Sequence, residues 1–274
     1  MGRSSPGSEP DGSLLTLSRM KVATWNVNSI RAREERLLSW LDKERPDVVC
    51  LQELKARDED FPFEAIEAAG YHAQVYGQKT YNGVAILSRL EATNVARGMA
   101  DDADDPQARL IQGDIAGVRF MNGYFPNGQE VGSEKYEYKL EWMARLSAML
   151  TRDVSPSENV ILCGDFNVVP DDKDAANPEK WRDSVLCHSE AREGLERIRA
   201  WGFEDVFRKH HPDGGVYSWW DYRMLAFPKG DGLRIDHIFA TKSLAGRCTA
   251  ARVDRDERKG KKPSDHAPVI AEFG

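Results

Sequence analysis

The stretch Val160-Ile-Leu-Cys-Gly-Asp-Phe-Asn-Val-Val-Pro170 decides how this chain is read. Val160 to Cys163 is a continuous apolar run of strand length, which predicts a buried strand ending at Gly164. Two polar side chains follow at once, Asp165 and Asn167, with Phe166 between them. Strand alternation places Asp165 and Asn167 on one side and turns Phe166 to the other. A carboxylate and an amide fixed at the end of a rigid strand are suited to work on one substrate atom. Taken alone, the same residues also read as a strand followed by an Asx-rich turn that Pro170 closes. The rest of the chain has to separate these readings.

Outward from that strand, strands and amphipathic helices alternate. Towards the N-terminus, strands are predicted over 22–27, 48–51, 71–76, 83–88, 92–97, 110–114 and 118–124. Helices are predicted over 31–43, about 63–69 and 133–152; the first carries Leu37, Leu38 and Leu41 on one face and Trp40 beside it. The acidic loop 101–105 reads as solvated surface. Towards the C-terminus come a loop rich in Asp, Pro and Trp over 170–187, a helix over 189–201 and strands near 215–219, 233–240 and 267–273. A basic stretch over 252–262 separates the last two strands. No linker and no repeating period breaks 21–274. The pattern predicts one α/β domain over 20–274, with two stacked sheets and helices outside. Residues 1–19, rich in Ser, Gly and Pro, read as a disordered leader.

One event recurs along the chain: an apolar strand ends and puts down an acid, an amide or an imidazole. It happens at Trp25-Asn26, Gln52-Glu53, Tyr124, Asp165 with Asn167, Ile235-Asp236-His237 and Ser264-Asp265-His266. In α/β folds ligands gather where strand ends meet, so these sites point to one shared pocket. Carboxylate and amide oxygens suit hard cations, Mg²⁺ or Mn²⁺. Paired carboxylates near such a cation suit hydrolysis of a phosphate ester, with one carboxylate orienting or deprotonating water. Asp236 bonded to His266 would favour the charged imidazole, which can face a phosphate.

Composition narrows the function classes. The net charge of −7 argues mildly against a nucleic-acid binder. Binding depends on local patches, however, and an acidic protein that works with divalent cations also carries clustered carboxylates. The four cysteines are scattered without a C-x-x-C pair, which points to a reducing compartment and gives no zinc signature. No apolar run approaches the roughly 20 residues of a membrane helix. No targeting signal is visible, so a cytoplasmic monomer without membrane contact is expected.

These motifs resemble one family. Thr24-Trp-Asn-Val-Asn28, Leu51-Gln-Glu53, Asn122-Gly-Tyr-Phe-Pro-Asn127, Gly164-Asp-Phe-Asn167, Ser218-Trp-Trp-Asp-Tyr-Arg223, Leu233-Arg-Ile-Asp236 and Pro263-Ser-Asp-His-Ala-Pro268 occur in the order seen in exonuclease III-type nucleases. Those are the apurinic/apyrimidinic (AP) endonucleases of the endonuclease/exonuclease/phosphatase superfamily, and the resemblance spans 21–274. It implies a four-layer α/β sandwich: two stacked mixed β-sheets flanked by helices, with the site at one edge. It implies a DNA-repair enzyme dependent on Mg²⁺ or Mn²⁺. That enzyme hydrolyses the phosphodiester 5′ to abasic sites in duplex DNA and trims 3′ nucleotides or 3′ phosphates. The alternative is a specialised 3′-end-processing exonuclease/phosphatase without AP-site incision. A phosphatase for inositol or sphingolipid substrates is disfavoured by the Trp219 to Arg223 loop.

The resemblance also implies roles. Glu53 is the principal metal ligand, with Asn26 and Asp265 nearby. A second metal position at Asp165, Asn167 and His266 stays open. Asp165 handles the attacking water and Asn167 the phosphate or that water. Tyr124 contacts the phosphate or is itself the base, and Asp236 orients His266. The partner is double-stranded DNA with abasic sites or blocked or recessed 3′ ends. Its contacts are expected from Arg109, Asn127, Trp219, Tyr222, Arg223 and Leu233, with Trp220 either beside them or in the core. Lys55, Arg57 and the basic stretch over 252–262 either meet phosphates or are solvated. Asn28 and Leu233 stand where some relatives carry Asp and Trp. The loop over 171–188 is expected to govern whether intact abasic DNA or only 3′ ends can enter.

Overall fold

Alternation along the strands sorts side chains onto two faces, and that sorting builds the fold. The computed structural model describes residues 19–274; the leader expected over 1–19 lies, but for Arg19, outside them. The strands are β1 (Met20–Asn26), β2 (Val48–Gln52), β3 (His72–Tyr76), β4 (Val84–Ser88), β5 (Thr93–Arg97), β6 (Leu110–Ile115), β7 (Val118–Tyr124), β8 (Val160–Asp165), β9 (Phe203–Asp205), β10 (Asp236–Thr241), β11 (Cys248–Val253) and β12 (Val269–Phe273). They form two six-stranded sheets, ordered β11-β12-β1-β2-β4-β3 and β5-β6-β7-β8-β10-β9. Each sheet has one parallel pair at its centre, β1 with β2 and β7 with β8, and is antiparallel elsewhere.

Parallel neighbours require a crossover, and a long helix supplies each one. Helix α1 (Ile30–Glu44) joins β1 to β2; α2 (Phe63–Ala68) precedes β3; α3 (Glu134–Asp153) joins β7 to β8. The start of α3 is fixed by Ser133, whose hydroxyl accepts from the Tyr136 N–H, with Glu134 and Glu137 in the first turn. Such a cap is worth about 1 kcal/mol, and the acids complement the helix dipole. The end of α1 is set by Arg45 in the left-handed region, before Pro46.

Val22, Val48, Cys50, Ile86, Phe120, Ile161, Cys163 and Ile238 fill the core between the two sheets. Alternate residues on the same strands face outwards. Trp25, Val49 and Leu51 pack against Leu37, Trp40 and Leu41 of α1. Met121, Val160 and Leu162 pack against Trp142, Leu146 and Leu150 of α3 and against α5 (Ser189–Ala200). The result is helix, sheet, sheet, helix: a four-layer α/β sandwich. Each fully buried aliphatic side chain contributes about 1.5–3 kcal/mol.

The structure differs from the sequence reading at several places. Residues 215–219 form no strand: Trp219 makes single bridges to Leu233 and His266. Strand β10 begins at Asp236 rather than at 233. Strands β9 and β11 carry too little apolar alternation to show. The acidic loop is exposed over 102–104 but fastened at both ends, because Arg145 of α3 binds Asp101 through two bonds of 2.8 and 3.0 Å and Asp105 at 2.9 Å. Much of the basic stretch is structural. Arg252 pairs with Glu44, Arg258 is buried on the carbonyls of Ser264 and Trp220, and Arg255 stacks on Phe227 at 4.4 Å.

Candidate metal-dependent active site

Asn26, Tyr124 and Asp165 continue the inward-facing series of β1, β7 and β8, and Asp236 begins that of β10. The site therefore lies where the core between the sheets reaches their common edge. Asp165 and Asp236 are direct partners in the β8–β10 register. Beneath them β7 and β8 approach through Gly123 and Gly164; a Cβ on Gly164 would fall 1.8 Å from the Gly123 carbonyl oxygen, and φ there is +148°. Only glycine fits. The strand thus runs through Gly164 to Asp165, two residues beyond the apolar run.

A connected set of hydrogen bonds joins the strand ends. Asn26 Nδ2 donates to Glu53 Oε2 and to Asp165 Oδ2, both at 2.9 Å, while its Oδ1 accepts from the Asn28 N–H at 2.9 Å. The Lys55 ammonium lies 2.8 Å from Glu53 Oε1 and donates to Asn28 Oδ1 at 2.7 Å. Asn28 Nδ2 donates to Asp265 Oδ1 at 2.9 Å, and Trp219 Nε1 to Asp265 Oδ2 at 3.0 Å. On the other side, His266 Nδ1 is 2.8 and 3.1 Å from the two oxygens of Asp236, and Nε2 is 3.7 Å from Asp165 Oδ2. Ser218 Oγ donates to Asp236 Oδ2 at 2.6 Å.

Burial sets the ionisation. Burial alone would lower the His266 pKa, but Asp236, Asp165 and Asp265 outweigh it and raise it to about 10. Its imidazole is charged at neutral pH. Burial raises Asp165, with Asp236 adding to the effect against His266 and Asn26. Burial opposes ionisation of Asp265, yet His266 and the bonds from Asn28 and Trp219 hold it below the ordinary carboxylate range. Tyr124 is pushed well above the ordinary phenol by burial, Glu53 and Asp165, so the hydroxyl keeps its proton.

A second cluster of amides is built round Asn167, which has φ +49°. Its N–H donates to Asp165 Oδ1 at 3.0 Å, its Nδ2 to the Phe125 carbonyl at 3.1 Å, and its Oδ1 accepts from Asn127 Nδ2 at 3.0 Å. Phe166 points the opposite way and stacks on Phe125 at 4.3 Å. Arg109 lies over the Tyr124 ring at 5.1 Å and binds its carbonyl at 3.1 Å. Two features were not read from the sequence. Lys139 of α3 is fully buried and held at three carbonyls, with its pKa lowered to about 7 by burial. Trp181 of the short helix α4 (Pro178–Trp181) stands edge-on to Trp219 at 5.8 Å. Lys139 had a visible signal, since it falls with Tyr136, Met143, Leu146 and Leu150 on the apolar face of α3.

The remaining sequence candidates divide by exposure. Asn127, Tyr222 and Arg223 are exposed; Tyr222 Oη donates to the Pro263 carbonyl at 2.8 Å, and Arg223 pairs with Asp221 at 2.8 Å. Trp219 is half-buried. Leu233 is fully buried and presents no surface to DNA; it packs behind Trp219 and Val185. Trp220 is also core, edge-on to Phe227.

The donor set fits a hard divalent cation. Glu53 and Asp265 offer carboxylate oxygens; one ligand atom each from Asp165, Asp236 and His266 also lies within 4.8 Å of the others, although a charged His266 is no ligand. Within that second group, Asp236 is already occupied by His266 and Ser218, which leaves Asp165 and the Nε2 edge of His266 facing outwards. Asn26 turns its amide nitrogen, not its oxygen, to the two carboxylates.

Residues 23–266 match the model of the Endonuclease/Exonuclease/phosphatase family, and the chain belongs to that family. Among known proteins, exodeoxyribonuclease III of Haemophilus influenzae is 38% identical over 266 residues, 93% of this chain and 100% of its own. An AP endonuclease from Archaeoglobus fulgidus superimposes with a TM-score of 0.90 at 41% identity, covering 93% of this chain and 99% of its own. The 3′-5′ exonuclease NExo from Neisseria meningitidis does so with a TM-score of 0.89 at 41% identity, with the same coverage. The Neisseria enzyme is also known as a 3′ phosphatase bound to product DNA hairpin, at a TM-score of 0.90 and 40% identity over 93% of this chain and 99% of its own. The chain is therefore an exodeoxyribonuclease III-type phosphodiesterase of the exonuclease III/AP endonuclease branch, whose members use a divalent metal. No helix among the described residues is long and apolar enough to cross a membrane.

Proposed function

We propose that the enzyme hydrolyses the phosphodiester 5′ to abasic sites in duplex DNA, leaving a 3′-hydroxyl. The same centre removes 3′ nucleotides and 3′ phosphates. One observation carries the abasic reading: a cavity of ≈ 450 Å³ opens beside the Asn127–Asn167 amides, walled by Trp181, Val185, Leu186 and Trp219 with Arg223 at its rim. That apolar and aromatic side suits a deoxyribose without its base, or a terminal nucleotide turned out of the stack, while Glu130, Asp183 and Asp221 make the rest of the lining acidic.

Glu53, Asp265 and, after rotation of its amide, Asn26 would hold Mg²⁺ or Mn²⁺. Such an ion, when bound, offsets charge on the phosphate oxygens. The protein groups do the rest. Asp165 takes the proton of the attacking water; its raised pKa brings it towards the working pH, as a base requires. Tyr124, held protonated, donates to the phosphate instead of acting as base. Asn167 orients the phosphate, and the charged His266, steadied by Asp236, faces the negative charge that develops on it. Arg109, stacked on Tyr124, lines a neighbouring cavity with Asn127 and can meet a DNA phosphate there.

A second reading, 3′-end processing without AP-site incision, is favoured by the edge-on Trp181–Trp219 pair, which narrows the pocket. Three labelled duplexes separate the two. One carries an internal tetrahydrofuran abasic analogue, one a recessed 3′ end and one a 3′-phosphate nick. Incision of the first supports the abasic reading. Removal of the 3′ phosphate with the tetrahydrofuran strand intact sinks it.

A further inference from the structure

Lys139 stands beside the site without a part in the proposed chemistry. It lies in the second turn of α3 and is wholly buried. Among the described residues no carboxylate bonds to its side-chain nitrogen. Its three N–H groups go to three main-chain carbonyls, Asn127 at 3.2 Å, Asn167 at 2.7 Å and Val185 at 2.6 Å. Burying an ammonium without an acid partner is costly, and a leucine would fill an apolar helix face more cheaply. The three acceptors explain why a lysine is there, since each can take a bond from its side-chain nitrogen.

Each carbonyl belongs to a different part of the site. Asn127 follows β7 and bonds the Asn167 side chain. Asn167 follows β8 in the left-handed region, with its N–H on Asp165. Val185 belongs to the 171–188 loop and walls the pocket with its neighbour Leu186. That loop returns to the strand end once more, where the Val169 N–H donates to the Leu186 carbonyl at 2.7 Å. Lys139 is therefore the point at which the phosphate-binding amide and the pocket wall are fastened together.

We propose that Lys139 is a positioning residue that locks Asn167 to the pocket wall, so that a group filling the pocket places its own phosphate for attack. The idea rests on the proposed sharing of one centre by nucleotide and phosphate removal, and it separates those two reactions. Removing a 3′ nucleotide puts that nucleotide in the pocket, on the far side of the scissile phosphate. Removing a 3′ phosphate puts nothing there. The lock matters for the first reaction and much less for the second.

The test compares wild type with Lys139→Met and Lys139→Gln in the full chain. Single-turnover rates and KM are measured on a recessed 3′ end and on a 3′-phosphate nick. The expected result for Lys139→Met is a fall in kcat on the recessed end at least tenfold greater than on the nick, with KM for either duplex within about threefold. Lys139→Gln, which keeps two donors, should fall between. A structural role alone would scale both reactions by the same active fraction, and equal losses overturn the proposal. Wild type that fails on one of the two duplexes overturns the shared-centre reading instead. Hydrogen exchange in wild type needs no variant. The amides of 166–169 and 184–188 should open together, with one common protection factor; independent opening of the two segments also overturns the lock.

Discussion

The charge on His266 rests on Asp236, and Asp236→Asn tests that dependence. The carboxylate is fully buried, both of its oxygens lie within 3.1 Å of His266 Nδ1, and among the groups that raise His266 it ranks first. Raising the imidazole from 6.5 to about 10 corresponds to about 5 kcal/mol, at about 1.4 kcal/mol per unit. Asp165 and Asp265 share in that and burial opposes all three, so Asp236→Asn removes the largest of the three attractions. Burial pulls the other way and persists in the variant. The His266 pKa in Asp236→Asn is then expected to fall by at least about one unit, or about 1.4 kcal/mol.

Two measurements follow from that shift. In single-turnover removal of a 3′ nucleotide at fixed Mg²⁺, the alkaline limb of the rate profile should move down from about pH 10 by at least about one unit. Losing a charged donor at the phosphate should also cost about 10²-fold in rate once the imidazole is neutral. Urea unfolding gives an independent view. A folded pKa raised above the unfolded value stabilises fully below 6.5, and that stability drains away as pH rises through about 10. Wild type should lose stability across that window, and Asp236→Asn should lose much less. An alkaline limb that stays in place in Asp236→Asn would refute the charged-imidazole mechanism, whatever happens to the rate.

Asp165→Asn should lower hydrolysis by about 10²–10⁴-fold, while the dissociation constant for abasic duplex, read by fluorescence anisotropy, stays within a few-fold. Activity close to wild type would remove Asp165 as base. EDTA should abolish cleavage and Mg²⁺ or Mn²⁺ restore it, with Glu53→Gln raising the metal concentration for half-activity by about tenfold or more; cleavage that survives EDTA contradicts the metal reading. Arg234 is fully buried between Asp174 and Asp205, at 2.6 and 2.8 Å. Arg234→Met leaves Asp205 without its cation while Asp174 keeps Arg208, so urea unfolding should show a loss of about 3–5 kcal/mol.

The central strands and the site were legible because they obey short-range rules. Val160 to Cys163 is apolar because both faces of β8 are buried, one against β1 and β2 and the other against α3. Polar residues stand out where such a run stops, which is how Asn26, Glu53, Asp165 and Asp236 were found. What stayed hidden depends on distant partners. Arg252 and Glu44 are 208 positions apart, and Arg145 lies 44 from Asp101. No local pattern tells a paired arginine from a solvated one. Leu233 and Trp220 look like pocket residues by motif and are core by packing, because the loop that carries them folds over Ala226, Phe227 and Ala267 and under Val185. Strand β9 has three residues, two of them acidic, and takes its place only through its register with β10.

The inward faces of the central strands show why the site holds its shape. Each face changes chemistry along its length: Val22, Thr24, Asn26 on β1; Val48, Cys50, Gln52 on β2; Phe120, Asn122, Tyr124 on β7; Ile161, Cys163, Asp165 on β8. Apolar contact gives way to neutral polar groups, then to the reacting groups. The neutral layer joins the sheets. Gln52 Nε2 donates to Asn122 Oδ1 at 2.7 Å and to Thr24 Oγ1 at 2.9 Å, while Asn122 Nδ2 donates to the carbonyls of Leu51 and Ala85 at 2.8 Å each. Apolar packing alone is tolerant of small slides between sheets, because it has no direction. These amides are not, since each buried group left unpaired costs about 1–3 kcal/mol. The 2.9 Å bond from Asn26 on one sheet to Asp165 on the other is set two residues deeper, by a layer that never meets substrate. A change at Asn122 should therefore reach catalysis by shifting one sheet against the other, with every catalytic side chain still present.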